Sequence, residues 1–213
     1  MAMTPIAIVG CGPGSARYVT EAARQAVAQA DVLVGSQRLL NLFLDCAAER
    51  VAVDADIPSL LERIATLRAA GRRVSVLVSG DPGLYSLAQN VVRRFGRENC
   101  EITTAVSSVQ VAFARLGLDW ADARILSAHG RTPEITADQL RRSDKIAILA
   151  GGKDALQWSA RMAEALHADH AAFLAENLTL DDERFRQVST EQLAAIDAAS
   201  LSIVLLIRRT LLA

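Results

Sequence analysis

The chain has 213 residues, of which 51% are hydrophobic, 22% charged and 4% aromatic, with a formal net charge of −1. That balance supports a buried core and gives no overall basic field for nucleic acid. The longest apolar run, Leu201 to Ile207, is far too short to span a bilayer, and Met1-Ala2-Met3-Thr4 lacks the basic and apolar regions of a signal peptide.

In chain order, short apolar runs alternate with helical patterns. The runs 6–9, 32–34, 74–78, 101–105, 124–127, 146–150, 172–175 and 202–207 read as strands buried on both faces of a mainly parallel sheet. Between them, 20–30, 57–70, 84–95, 107–116, 134–142 and 154–167 carry helical periodicity. Strands alternating with helices predict an α/β fold. Gly117-Leu118-Asp119-Trp120 breaks the pattern. The expectation is two α/β subdomains, 1–117 and 118–213, with mainly parallel sheets flanked by helices and a cleft between them. Residues 176–186 are polar and strand-poor, either a loop or a β-hairpin over that cleft. A single-activity enzyme and the first half of a fusion both stay open.

Cys11, Cys46 and Cys100 have no metal-ligand spacing, and an odd count fits a reducing cytoplasm. No cluster is spaced for a metal, so none is expected. His167 and His170 lie at an Ala-rich helix end and read as surface residues.

Three tight turns follow strand-like runs: Gly10-Cys11-Gly12-Pro13-Gly14, Ser79-Gly80-Asp81-Pro82-Gly83 and Thr104-Ala105-Val106-Ser107-Ser108. Bare backbone at a strand's carboxyl end lets a ligand approach main-chain N–H groups, and in open α/β sheets ligands bind at that edge. A dinucleotide is disfavoured. Its fingerprint needs a third glycine where Ser15 stands, and Pro13 has no N–H to offer a pyrophosphate. Asp31 sits near the position of a ribose-binding acid but leads into a strand. Gly151-Gly152-Lys153-Asp154 lacks the spacing and hydroxyl of a phosphate loop.

The combination Val9 to Ser15, Tyr18-Val19-Thr20 and Ser79 to Ser86 resembles the tetrapyrrole (corrin/porphyrin) methyltransferases that use S-adenosylmethionine. Ser107 to Gly117, Ser127-Ala128-His129-Gly130-Arg131, Ala175-Glu176-Asn177-Leu178 and Asp182-Glu183-Arg184 narrow the likeness to the precorrin-7 C5-methyltransferases. That group also occurs as the N-terminal half of precorrin-6Y C5,15-methyltransferases. The likeness runs from about residue 5 to about residue 207. One departure is Ala105-Val106 where members carry Pro-Gly before the two serines.

The resemblance implies a cytoplasmic S-adenosylmethionine-dependent C-methyltransferase of cobalamin biosynthesis. Its substrate would be precorrin-7 or its cobalt-bound form, and its state a homodimer. A C15-methyltransferase/decarboxylase would be a partner or fused domain, with no nucleic acid or membrane involved. Gly80, Asp81, Leu84, Ser107, Ser108 and Gly151 would bind the cofactor, and Gly10, Gly12, Pro13 and Gly14 the tetrapyrrole. Asp81 could orient the cofactor's positive end or cap a helix, and Ser107-Ser108 also suit an N-cap. His129 and Asp81 are nominees for removing a ring proton. Arg131 is a candidate carboxylate clamp, because guanidinium binds carboxylate in a bidentate fork. Glu176, Asn177, Asp182, Glu183 and Arg184 are either cleft polar groups or a solvated loop. Rival readings are a uroporphyrinogen-III, diphthine or ribosomal-RNA cytidine methyltransferase, the last disfavoured by the near-neutral charge, or a non-catalytic adenosyl-binding module.

Overall fold

The structure, a computed structural model, describes residues 4–53, 56–130, 132–196 and 200–213. The chain divides into two compact units, Met1–Ser107 and Ser108–Ala213.

In the first unit the elements are β1 Ile6–Gly10, α1 Glu21–Ala28, β2 Val32–Gly35, α2 Gln37–Leu40, β3 Glu49–Ala52, α3 Ile57–Ala69, β4 Val74–Val78, α4 Ala88–Phe95 and β5 Cys100–Thr103. The five strands form one parallel sheet in the order β3-β2-β4-β1-β5. Strand side chains alternate between faces. Ile6 and Ile8 of β1 therefore pack with Val32, Val34, Val74 and Val76 and meet Leu60 and Ile64 of α3 and Val91 of α4. On the other face Val9, Leu33 and Leu77 meet Ala23 and Val27 of α1 and Leu39 and Leu40 of α2. Start signals are local. The Thr20 hydroxyl accepts from Ala23 N–H at 3.1 Å, and Asp56 caps α3 through Ser59 N–H at 3.1 Å.

Strands β1 and β4 are neighbours, yet their connections leave in opposite directions. The chain after β1 crosses to β2 beyond β4, and the chain after β4 crosses to β5 beyond β1. Such a switch point opens the carboxyl edge of the sheet to a ligand.

In the second unit the elements are α5 Ser108–Leu116, β6 Arg124–Ser127, α6 Ala137–Leu140, β7 Lys145–Leu149, α7 Lys153–Leu166, β8 His170–Glu176, β9 Arg184–Val188, α8 Thr190–Ala195 and β10 Ser202–Arg208. The α/β class is as expected, but the pairing here is not mainly parallel. The sheet order is β6-β7-β10-β8-β9. Strands β6 and β7 run parallel, whereas β7–β10, β10–β8 and β8–β9 are antiparallel. Ile146, Ile148, Leu174, Val204 and Leu206 pack under Leu156, Ala163 and Leu166 of α7 and Leu193 of α8.

Two smaller expectations are corrected. The helix expected from residue 84 begins at Ala88, because Tyr85 takes a left-handed φ of 46° and ends any helical run there. His170 is not a surface residue: it opens β8, is 3% exposed, and its Nε2 lies 2.9 Å from the Ser143 carbonyl. Segment 176–186 is a β-hairpin, with Glu176 paired to Arg184 across β8 and β9.

Candidate functional site

Three loops at the carboxyl ends of β1, β4 and β5 converge in the first unit. Cys11 N–H donates to the Val78 carbonyl at 2.9 Å, and Gly80 N–H donates to the Gly12 carbonyl at 2.9 Å. Gly12 and Gly80 thereby form an isolated antiparallel bridge between the first two loops. Asp81 ties in the third. Its Oδ1 accepts from Gly83 N–H at 2.8 Å and its Oδ2 from Ala105 N–H at 3.0 Å. Asp81 therefore braces two loops rather than capping α4, whose N-cap is Leu87. Leu84 belongs to the same turn, its N–H donating to the Asp81 carbonyl at 3.1 Å.

The glycines divide into two kinds. A Cβ on Gly10 would lie 2.7 Å from Ala105 Cβ and 2.8 Å from Pro82 Cδ, so Gly10 is required where the three loops close on one another. Gly12, Pro13 and Gly14 are buried as well. Gly80 differs. Its φ is +64°, which L side chains rarely adopt, and a Cβ there would have, among the described residues, a single neighbour within 4 Å, the Cα of Ser107 at 3.7 Å. Gly80 is itself buried, but among the described residues no side chain fills the space on its Cα, which leaves room for a ligand to approach its backbone.

Beside these loops lies a residue that no sequence motif singles out. Arg38, in α2, donates from Nη2 to Ser79 Oγ at 3.0 Å, while its Nη1 is buried and, among the described residues, has no hydrogen-bond partner. Burial lowers its pKa, and its charge acts on Cys11. Burial in turn pushes the Cys11 thiol up to about 12, so that thiol stays protonated and unreactive at neutral pH. Asp31 is accounted for differently. It accepts from Arg73 N–H at 2.8 Å and from the Arg73 guanidinium at 2.7 Å, which holds its pKa down at about 2. It precedes β2, at the sheet edge opposite the glycine loops.

In the second unit the structure brings His129 and Gly151 together. The loops after the parallel strands β6 and β7 leave the same sheet edge, and His129 Nδ1 lies 3.2 Å from the Gly151 carbonyl. A Cβ on Gly151 would fall 2.5 Å from that nitrogen and would also strike the Ser200 carbonyl. A carbonyl only accepts, so the contact places hydrogen on Nδ1 and leaves Nε2 as the acceptor nitrogen of the neutral ring. A pocket of about 390 Å³ adjoins them, lined by Ala128, Gly130, Gly152, Lys153 and Asp154 among others. Arg131 lies outside the described residues. Ser107 is buried and Ser108 opens α5.

The polar hairpin residues are engaged with one another. Arg115 donates to both oxygens of Glu183, at 2.6 and 3.0 Å, and Glu183 also accepts from Thr179 N–H at 2.6 Å. The Arg115 hydrogen bonds hold the Glu183 carboxyl below its usual range. Asn177 donates to Asp182 at 2.7 Å, and Arg186 to the buried Glu176 at 2.7 Å. Among the described residues no group of His, Cys, Asp and Glu is arranged to hold a metal ion. Among them, too, no helix is long and apolar enough to cross a membrane.

Residues 5–194 match the Tetrapyrrole (Corrin/Porphyrin) Methylases family. A relative from Salmonella typhimurium, named cobalt-precorrin-7 C(5)-methyltransferase, is 34% identical over 84% of this chain and 88% of its own length. The crystal structure of a cobalamin biosynthesis precorrin-6Y methylase from Archaeoglobus fulgidus matches with a TM-score of 0.74 at 28% identity, covering 96% of this chain and 98% of that one. Uroporphyrin-III C-methyltransferase from Thermus thermophilus, solved with S-adenosyl homocysteine, has a TM-score of 0.78 at 19% identity over 95% and 97% of the two chains, a likeness of fold. By the extent of these matches the chain belongs to the tetrapyrrole (corrin/porphyrin) methylase family.

Proposed function

We propose that this chain transfers a methyl group from S-adenosylmethionine to C5 of precorrin-7 or cobalt-precorrin-7 in cobalamin biosynthesis. The observation that carries the reading is the Salmonella relative, matched over 88% of its length. The cofactor supplies a methyl group made electrophilic by sulfonium. The residues of the first unit suit it: the open backbone at Gly80 offers a close approach, and the unpartnered guanidinium donor of Arg38 offers a carboxylate contact. Transfer to an electron-rich ring carbon asks the protein mainly for positioning. Asp81 supplies it by fixing the spacing of two loops, and the Nε2 of His129 is the nominee for accepting the ring proton. Gly10, Gly12, Pro13 and Gly14 remain the proposed substrate loop, and Arg131 a proposed contact to its carboxylates. A homodimer in the cytoplasm, working beside or fused to a C15-methylating, decarboxylating enzyme, completes the reading. The unpaired thiols of Cys11, Cys46 and Cys100 suit that compartment.

The test is incubation with methyl-labelled S-adenosylmethionine and precorrin-7, read by mass. The expected product carries one labelled methyl at C5. Cofactor binding with no methyl gained would point to a non-catalytic adenosyl-binding module. S-adenosylmethionine at about a hundredfold its Kd should stabilise the fold by roughly 2–3 kcal/mol, and NADH should not.

A further inference from the structure

We propose that Arg38 is a carboxylate receptor of the first unit, binding a carboxylate of the proposed site's ligands, either that of the cofactor's amino acid or one on the tetrapyrrole rim. The inference rests on the function proposed above. Three observations carry it.

The first is position. Arg38 follows β2 and reaches Ser79, which opens the glycine turn after β4, with Nη2 to Oγ at 3.0 Å. It therefore stands at the carboxyl edge of the sheet, beside the turn whose open Gly80 backbone invites a ligand. The second is an unmet donor. The Nη1 of Arg38 is buried and, among the described residues, has no hydrogen-bond partner. A buried polar group without a partner is costly, and a buried charge more so. The third is charge. Arg186, half-buried like Arg38, is answered by the carboxylate of the buried Glu176, and Arg68, more deeply buried, has its hydrogen bonds met by the neutral Thr4 carbonyl and Asn99. Arg38 has the neutral Ser79 hydroxyl and the protonated Cys11 thiol near it, and among the described residues no carboxylate pairs with it. Guanidinium keeps its proton even when burial opposes it. A cation held unpaired beside an open backbone turn is satisfied when an anion arrives. The fork geometry of guanidinium favours a carboxylate, with one N–H fixed on Ser79 and the other offered to the ligand.

The assignment implies that Arg38 costs the free protein stability and returns it on binding. The variants Arg38→Met and Arg38→Lys test this. Calorimetry uses S-adenosylhomocysteine, methylthioadenosine, which keeps the nucleoside and lacks the carboxylate, and precorrin-7 under anaerobic conditions. Arg38→Met should melt at or above the wild-type temperature. It should bind one carboxylate ligand about 10- to 100-fold more weakly and methylthioadenosine unchanged. Loss confined to S-adenosylhomocysteine assigns the cofactor carboxylate, and loss confined to precorrin-7 assigns the tetrapyrrole. Arg38→Lys should recover part of the affinity, since a point charge cannot reproduce the fork. If wild type binds and both variants bind all three equally well, Arg38 receives no carboxylate and the functional reading stands. A lower melting temperature with equal loss of all three ligands would mean a structural arginine. Wild-type protein that binds neither S-adenosylhomocysteine nor precorrin-7 overturns the functional reading and the receptor together.

Discussion

The carboxylate of Asp81 bridges to the backbone N–H of Ala105 at 3.0 Å while its other oxygen holds Gly83 N–H at 2.8 Å. One side chain thus sets the distance between the loops after β4 and β5. Asp81→Ala leaves the part-buried Ala105 N–H without its acceptor while the exposed Gly83 N–H turns to water, at about 0.5–1.5 kcal/mol of stability, and should weaken S-adenosylmethionine binding. Asp81→Asn keeps one acceptor and presents a donor to the other N–H, so it should recover only part of the loss. Urea denaturation and calorimetry on the same samples measure both. Stability within about 0.5 kcal/mol of wild type for Asp81→Ala would remove the brace.

Gly80 is the position where backbone shape and ligand access separate. Gly80→Ala forces an L side chain to φ +64°, costing roughly 1–2 kcal/mol. The protein stays folded because the new Cβ meets only Ser107 Cα, at 3.7 Å. It should nonetheless lose cofactor affinity, and Gly80→Val should lose it entirely. Folded variants with wild-type calorimetric affinity would put the cofactor elsewhere.

Gly151→Ala should act on His129. The added methyl falls 2.5 Å from Nδ1, so the ring must leave the Gly151 carbonyl or the loop must shift. Overpacking of this kind costs about 1–3 kcal/mol. If His129 accepts the ring proton, kcat should fall with KM for S-adenosylmethionine little changed, and His129→Gln should show the same split. An unchanged kcat in both variants would release His129 from the chemistry.

Glu183 should make stability depend on acidity. Its folded pKa lies below the ordinary 4.5, chiefly through the Arg115 side-chain hydrogen bonds. A depressed carboxyl contributes stability that is full above its unfolded value and lost as pH falls through the folded one. The stability gap between wild type and Glu183→Gln should therefore be widest near neutrality and close below about pH 4. Denaturation curves from pH 7 to pH 3 measure it, and a gap independent of pH would mean that the charge contributes nothing.

The first unit was largely legible in sequence because β1, β2 and β4 are almost wholly apolar, Ser75 of β4 apart, and run into glycine turns. Strand β3 escaped notice, since Glu49-Arg50-Val51-Ala52 buries only Val51 and an edge strand needs little apolar surface. Strand β9, Arg184 to Val188, was legible only as one of two alternatives, a hairpin or a loop, because it too lies at an edge and buries little. Strand direction in the second sheet was not readable: β8 is buried at all seven positions, and burial on both faces looks the same whether neighbours run parallel or antiparallel. At the site, the turns were visible as glycine patterns. The brace at Asp81 and the donor of Arg38 were not, because each depends on a partner from another loop, and Ser36-Gln37-Arg38-Leu39-Leu40 looks like any amphipathic turn.

Strand β10, Ser202–Arg208, follows every other strand in the chain yet lies in the middle of the second sheet, between β7 and β8. A ribosome makes the unit's flanks before its centre. Until residues 202–208 emerge, β7 and β8 each present an apolar edge with its hydrogen-bonding groups unmet, the kind of edge that recruits other chains. In the first unit the late central strand is β4, between β2 and β1, and the last strand, β5, adds at an edge, so that sheet is complete before any of the second is made. Nascent chains arrested before Ser202 should therefore carry a protease-resistant first unit and a protease-sensitive remainder, and pulse proteolysis of stalled ribosomes would detect a second unit that closes early if this order is wrong.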